Sequence, residues 1–479
     1  MASDGCHTQP QSGHAVSATD DLPGEGGHLP CVDGGNVTSL AAPGREEKIS
    51  ADYWQVRRVP VTVHTIVALI IGITLRLVLF PQALLADRAN AGRTDFLIFF
   101  GVAKASSNFV GGALADSWGR RPTALVGWIL GVPLTAALLW TELVKSRIVL
   151  DVSDLLLGTM QGVTWGLNIT LLMDILGPRG RGMASALSNA AGYFGSAVTA
   201  PVAAEMVKVT GDASMCIATL CCGVLLGFVL VATDTKVWHR VDVARELTAH
   251  VRADDNGKPP VWSIAQFLVR VGCGSSVQVF CLISGHTVNT TTAVVWGATV
   301  QWMKNEGGVS IRCIGFVEAW FTGLEVIAML VSGFLSYRGL KPQRIAAVTM
   351  AIMAVGLGLL AWQASCAVVS WPTLLCCTGM LGVGVGGAYP ALEAAVIEHV
   401  PEHQRASVYG AYRMWRDLGF ASGGVFTRLF SNFASEVTGV CLWTLVVAFA
   451  FLCNAFCTAR IAPVRGELDQ GTEMPLLGC

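Results

Sequence analysis

Apolar segments of about twenty residues, separated by short polar loops, run along most of this chain. They predict helices at about 61–85, 94–115, 123–143, 149–175, 183–207 and 213–232, and again at 276–302, 311–335, 345–363, 371–397, 406–430 and 438–458. A helix of that length crosses the hydrocarbon core of a bilayer. The pattern therefore predicts an all-α polytopic membrane protein with twelve transmembrane helices. Polar sequence divides it into a disordered tail at 1–50, a six-helix half at 51–233, a linker at 234–275, a second six-helix half at 276–459 and a tail at 460–479.

Composition agrees with this reading. Hydrophobic residues make up 53% of the 479 residues and charged residues 14%, against roughly 25% charged in soluble domains. A net charge of -1 gives no electrostatic basis for binding nucleic acid. The 15 cysteines lie mostly inside apolar runs and show neither metal spacing nor a disulfide framework. No secretory signal opens the chain, so the first apolar helix is expected to target the membrane. Lys and Arg gather in alternate loops, among them Arg120, Arg121, Arg179, Arg181, Arg338, Lys341, Arg344 and Arg405. That bias predicts that both termini are cytoplasmic. Neither a phosphate-binding P-loop nor a nucleophile–base constellation is present, so no enzymatic activity, cofactor or metal is expected.

Two segments recur between the halves. "GALADSWGRRP", Gly112 to Pro122, has a weaker partner in "GFLSYRGLKP", Gly333 to Pro342. "GPRGRGMASALSNAAGYFGS", Gly177 to Ser196, matches "VPEHQRASVYGAYRMWRDLGFASG", Val400 to Gly423. The offsets, about 221 to 227 residues, place one six-helix unit twice in the chain. Parallel repeats of this size are a transporter architecture.

Gly112 to Arg121 resembles the loop signature of the major facilitator superfamily, G-x-L-x-D-R-x-G-R-R, with Ser117 where Arg is usual. The resemblance covers about residues 60–460. It implies two pseudo-symmetric halves and alternating access. It also implies a conformational latch formed by Gly112, Asp116, Gly119, Arg120 and Arg121, with Asp174 at the end of the fourth helix as an ion partner. Gly112 permits close helix approach. In the second copy Tyr337 replaces the Asp, which predicts a weaker latch. The "PESPR" signature of sugar porters and the E-x-x-E-R motif of peptide transporters are missing, and the main drug-export motifs are not matched.

Charges inside the apolar segments are the candidates for function, because an unpaired charge in lipid is costly. Segment 406–430 carries Arg413, Arg416 and Asp417. Counted from Arg405, Arg413 lies roughly 12 Å and Asp417 roughly 18 Å deep. Segment 94–115 carries Lys104 at mid-depth, followed by Asn108. In the family these two helices are neighbours across the seam, so Lys104 and Asp417 are expected to meet. Segment 311–335 carries Glu318 and Glu325 on nearly one face, and segment 61–85 carries Arg76. Together these form a candidate coupling network. In it the seam charges around Lys104 and Asp417 would couple solute or proton binding to rocking of the halves. Either Glu is a candidate coupling acid, and Arg76 would meet an anionic solute or balance Glu318 or Asp417. A static packing network is the competing reading. Gln161, Trp165 and Asn168 form one stripe and His286, Asn289 and Trp296 another, both on helices that line the cavity in the family. Interhelical hydrogen bonding that merely packs the bundle is the alternative for both stripes.

The expectation is a monomeric secondary transporter in a lipid bilayer. It would move a small solute with a proton or solute gradient, in the plasma membrane rather than an organelle. A non-transporting sensor or receptor of the same fold is the alternative.

Overall fold

The computed structural model describes residues 43–85, 95–144, 146–234, 276–366, 368–397, 405–430 and 432–461. The expected tails and the linker lie largely outside these residues. The chain divides into Met1–Tyr53 and Trp54–Cys479. Of the first unit, only the helical stretch 43–53 is described.

The helices in order are α1 (Pro43–Leu85), α2 (Asp95–Trp118), α3 (Arg120–Ile129), α4 (Gly131–Val144), α5 (Arg147–Thr210), α6 (Ser214–Thr233), α7 (Ser276–Ala293), α8 (Val300–Asn305), α9 (Ile311–Tyr337), α10 (Pro342–Ala364), α11 (Trp371–Ile397), α12 (Arg405–Leu429) and α13 (Phe433–Ile461). Among the described residues, nine spans are long and apolar enough to cross a bilayer by length and composition. The segments around 183–207, 276–302 and 406–430 are not among the nine. The last of these carries Arg413, Arg416 and Asp417, and the middle one is interrupted.

Three boundaries differ from the sequence pattern. The first helix starts at Pro43 rather than about 61. The third span breaks at Leu130 into α3 and α4, because Pro133 has no N–H to return to Ile129. The fourth and fifth spans join in one helical run, α5. Yet Trp165 Nε1 donates to Asn189 Oδ1 at 3.2 Å, and a straight helix would hold residues so spaced roughly 36 Å apart. The chain therefore reverses near Pro178, and α5 is two antiparallel arms.

The halves meet along two seams. α2 packs on α12, and the second arm of α5 packs on α9. In the second seam Gly315 faces Ala204 and Gly333 faces Ala186. In the first, Gly101 meets Ala421 and Gly410 lies near Asn108. Both pairs of helices run antiparallel, as a repeated unit requires. Small residues let these backbones approach closely, which drives helix association where lipid removes the hydrophobic incentive. α9 is started by Ser310, whose hydroxyl accepts from the Cys313 N–H.

Between α7 and α8 the helix widens into a π-turn over Val294–Thr299. Thr299 Oγ1 donates to the Val294 carbonyl at 3.0 Å, closing the wide turn. Such insertions re-aim side chains and recur at functional sites. Here the turn carries Trp296 into the centre of the bundle, fully buried.

Candidate functional site

Two groups of buried charges occupy the middle of the bundle. The larger spans α2, α5, α7, α11 and α12. Asp417 is its hub: Arg416 Nε donates to it at 2.9 Å, Asn289 Nδ2 at 2.8 Å and Asn108 Nδ2 at 2.7 Å. Lys104 Nζ and Arg413 Nη2 each stand 3.9 Å away. Arg416 also reaches Glu393 at 2.7 Å, and Glu393 accepts from Ser185 and, at 3.2 Å, from Asn189 Nδ2. Lys104 is caged by the rings of Phe420, Phe100 and Trp165, at 4.7, 5.3 and 5.3 Å. Each of these charged groups is almost completely buried, so partner geometry decides what the burial costs.

The smaller group lies between α1 and α9. Arg76 forms an ion pair with Glu318, both wholly buried. Its guanidinium also stacks over Trp296 at 4.9 Å and Phe80 at 5.5 Å. Glu325, two turns along α9 from Glu318, is fully buried as well. Neither of its oxygens has a hydrogen-bond partner among the described residues. Gly382 and Gly386 of α11 explain why it is sealed in: a methyl at either would run into the carbonyl oxygen of Phe321 or Glu325. Glycine there brings α11 directly onto the α9 backbone.

The polar stripes are divided by the structure. Gln161 donates to Ile71 O and to Thr74 Oγ1. Asn168 exchanges hydrogen bonds with His64 and donates to Ser188 Oγ at 3.2 Å. Trp165, Asn289 and Trp296 reach the central cluster. His286 stands apart: its ring nitrogens meet Trp415 O at 3.1 Å and Ser422 Oγ at 2.9 Å, on the half-exposed side of α7.

Sequence reasoning did not select Glu393, Tyr193 or Tyr389. Tyr193 from the first half donates to the Tyr389 hydroxyl of the second at 3.0 Å, and Tyr389 in turn donates to Asn289. The two tyrosines thus bridge the halves through Asn289 to Asp417. Glu393 had a signal, being a lone acid within the apolar run "GAYPALEAAVI".

At one end of the bundle, Arg120 forms an ion pair with Asp174 and Arg121 donates to Ala232 O at 2.6 Å. Gly119 joins α2 to α3 at φ 99°, a left-handed angle that favours glycine. Gly112 has open space where a Cβ would stand. The Asp116 side chain lies outside the described residues. At the corresponding position of the second half Tyr337 is exposed and Arg338 stacks on Phe334 at 4.9 Å. At the opposite end, ion pairs cross both seams: Arg428 with Asp95 at 3.3 Å and Arg312 with Glu205 at 2.6 Å.

Two six-helix halves packed around buried charges define a multi-pass integral membrane transporter fold. The chain belongs to the Major Facilitator Superfamily, whose sequence profile matches residues 65–285 and 281–473. No curated relative matches. Among solved structures, the chain is similar to a mutant peptide transporter, POT, in complex with sulfate, at 12% identity and TM-score 0.63, covering 84% of this chain and 95% of that one. It is also similar to a POT family transporter in complex with a thioalcohol-conjugated peptide, at 10% identity and TM-score 0.64, covering 84% and 97%. At such identities the likeness shows the fold alone.

Proposed function

We propose that this chain is a proton-coupled secondary transporter that moves a small solute by alternating access, with Glu325 as the proton carrier. The observation that carries the reading is the contrast in partners. Asp417 is saturated with donors, whereas Glu325 is buried near the Arg76–Glu318 ion pair and has no hydrogen-bond donor among the described residues. Taking a carboxylate out of water costs far more than taking a neutral carboxyl, so sealing Glu325 inside the bundle favours proton uptake. Re-opening toward water favours release. A proton thus moves with the conformational change.

Trp165, Tyr193, Trp296 and Tyr389 lie buried together with Asn189 and Asn289 inside the bundle. Aromatic surface with a few placed polar groups suits a small, partly polar solute. A peptide is not favoured by this chain's own residues, because its first span carries Arg76 and no E-x-x-E-R motif. The loop charges support cytoplasmic termini, and the plasma membrane is the proposed location. The latch reading assigns the Arg120–Asp174 pair to the cytoplasmic end.

The test is untargeted metabolite uptake in cells expressing the wild type, Glu325→Gln or Asp417→Asn, with and without a collapsed proton gradient. Uphill accumulation of one solute class is expected only in the wild type and only with the gradient, while Glu325→Gln retains solute exchange. Gradient-dependent accumulation by Glu325→Gln would remove the proton role from that residue. The exposed Tyr337 and stacked Arg338 of the second loop favour the competing reading, a non-transporting sensor. Absence of flux from correctly inserted protein would select that reading.

A further inference from the structure

A cleft opens at the Arg120 end of the bundle, between α2, the first arm of α5 and α12, with about 420 Å³ of free space including its mouth. Its walls are unusually bare, because Gly111, Gly112, Gly162, Gly166 and Gly410 all line it. Two guanidiniums line it as well, those of Arg413 and Arg120. Arg413 is 1% exposed. Its Nη2 is the atom that stands 3.9 Å from Asp417, while Nε and Nη1 have no hydrogen-bond partner among the described residues. Asn108 presents to the same cleft, and its Oδ1 is likewise without a partner while its Nδ2 is engaged.

A buried guanidinium with open donors is expensive to maintain unless an acceptor visits it. The charge balance points the same way. Lys104, Arg413 and Arg416 face two carboxylates, Asp417 and Glu393, which leaves one positive charge in excess at this cluster. A planar carboxylate turns both oxygens toward one guanidinium, whereas a tetrahedral phosphate has oxygens for guanidiniums on separate helices. A singly protonated phosphate also has a donor for Asn108 Oδ1.

We infer that this cleft is a binding site for an anionic phosphate group, held by Arg413 from the second half and Arg120 from the first. The group comes either from a soluble phosphate or from a phospholipid headgroup, and it fastens α12 to α2 beside the Arg120–Asp174 pair. Arg413 and Asn108 tie this cleft to the Asp417 group, and the inference does not depend on the transport reading.

The test measures thermal unfolding of the purified full chain in three settings: detergent with inorganic phosphate titrated at constant ionic strength with chloride, nanodiscs of phosphatidylcholine (whose phosphodiester is capped by choline) in buffer without inorganic phosphate, and the same nanodiscs with phosphatidic acid, a phosphate monoester. The midpoint is expected to rise with phosphate, with phosphatidic acid or with both, and the arm that responds names the source. Arg413→Gln is expected to weaken the effect at least about tenfold, since a charge-assisted contact contributes about 1.5–3 kcal/mol. Gly112→Leu keeps every charge and fills the cleft, because nothing lies within 4 Å of a Cβ at that position. It should abolish the effect even if Arg413→Gln fails to fold. The inference is overturned if no arm shifts the wild type, if chloride alone shifts it equally, or if Gly112→Leu responds like the wild type.

Discussion

The two buried charge groups use the same residue types and are finished differently. Around Asp417, five side chains from α2, α7 and α12 address one carboxylate. Around Glu325 the described residues offer the Arg76 guanidinium, already paired with Glu318. A carboxylate held by many donors resists protonation and holds its helices in register. A carboxyl held by none has no such anchor. On the proposed reading the first group has structural duty and the second exchange duty.

Asp417→Asn tests the structural side with the largest expected effect. It strands Lys104, Arg413 and Arg416 beside fewer negative charges, and breaking one partner of a buried pair costs about 3–5 kcal/mol. A melting midpoint equal to the wild type would break the comparison at once. Glu325→Gln removes no hydrogen bond among the described residues, so its effect should fall on coupling. Uphill accumulation should drop at least about tenfold, while the melting midpoint stays close to the wild type. A large stability loss there would move Glu325 into the structural class.

Smaller effects sharpen the same contrast at the ends of the bundle. Arg120→Ala removes the ion pair with a partly exposed Asp174, and about 1 kcal/mol is expected because water screens that pair. Arg338, in the second copy, meets only the Phe334 ring among the described side chains, so chemical denaturation of Arg338→Ala should register less. A loss equal to that of Arg120→Ala would show that both loops latch alike. The smallest effect belongs to Glu205→Gln: its pair with Arg312 is exposed on both sides, and melting at physiological salt should not separate the variant from the wild type.

Local chemistry made much of this visible in the chain. Twenty-residue apolar runs, the repeat of "GALADSWGRRP" and the cost of charges in lipid are all readable without a structure. They are enough to single out Lys104, Arg76, Glu325 and Asp417. Glu393 carries the same lone-acid signal, but its partners Ser185, Asn189 and Arg416 lie on other helices and emerge only from the fold. His286 and Asn289 sit on one helix three residues apart. Yet His286 faces Trp415 while Asn289 faces Asp417, a divergence set by the rotation of α7 against α12.

What the sequence determined by itself is the number and order of spans, the two-fold repeat and which residues must escape lipid. Hydrophobic length and desolvation are properties of each segment alone. The tertiary structure decided which charges meet, that Arg76 belongs to Glu318, that Tyr193 and Tyr389 join the halves, and that Glu325 has no donor among the described residues. Those pairings depend on the rotation and crossing of helices far apart in the chain, and glycine contacts such as Gly382 and Gly386 against α9 fix them only once the bundle has assembled.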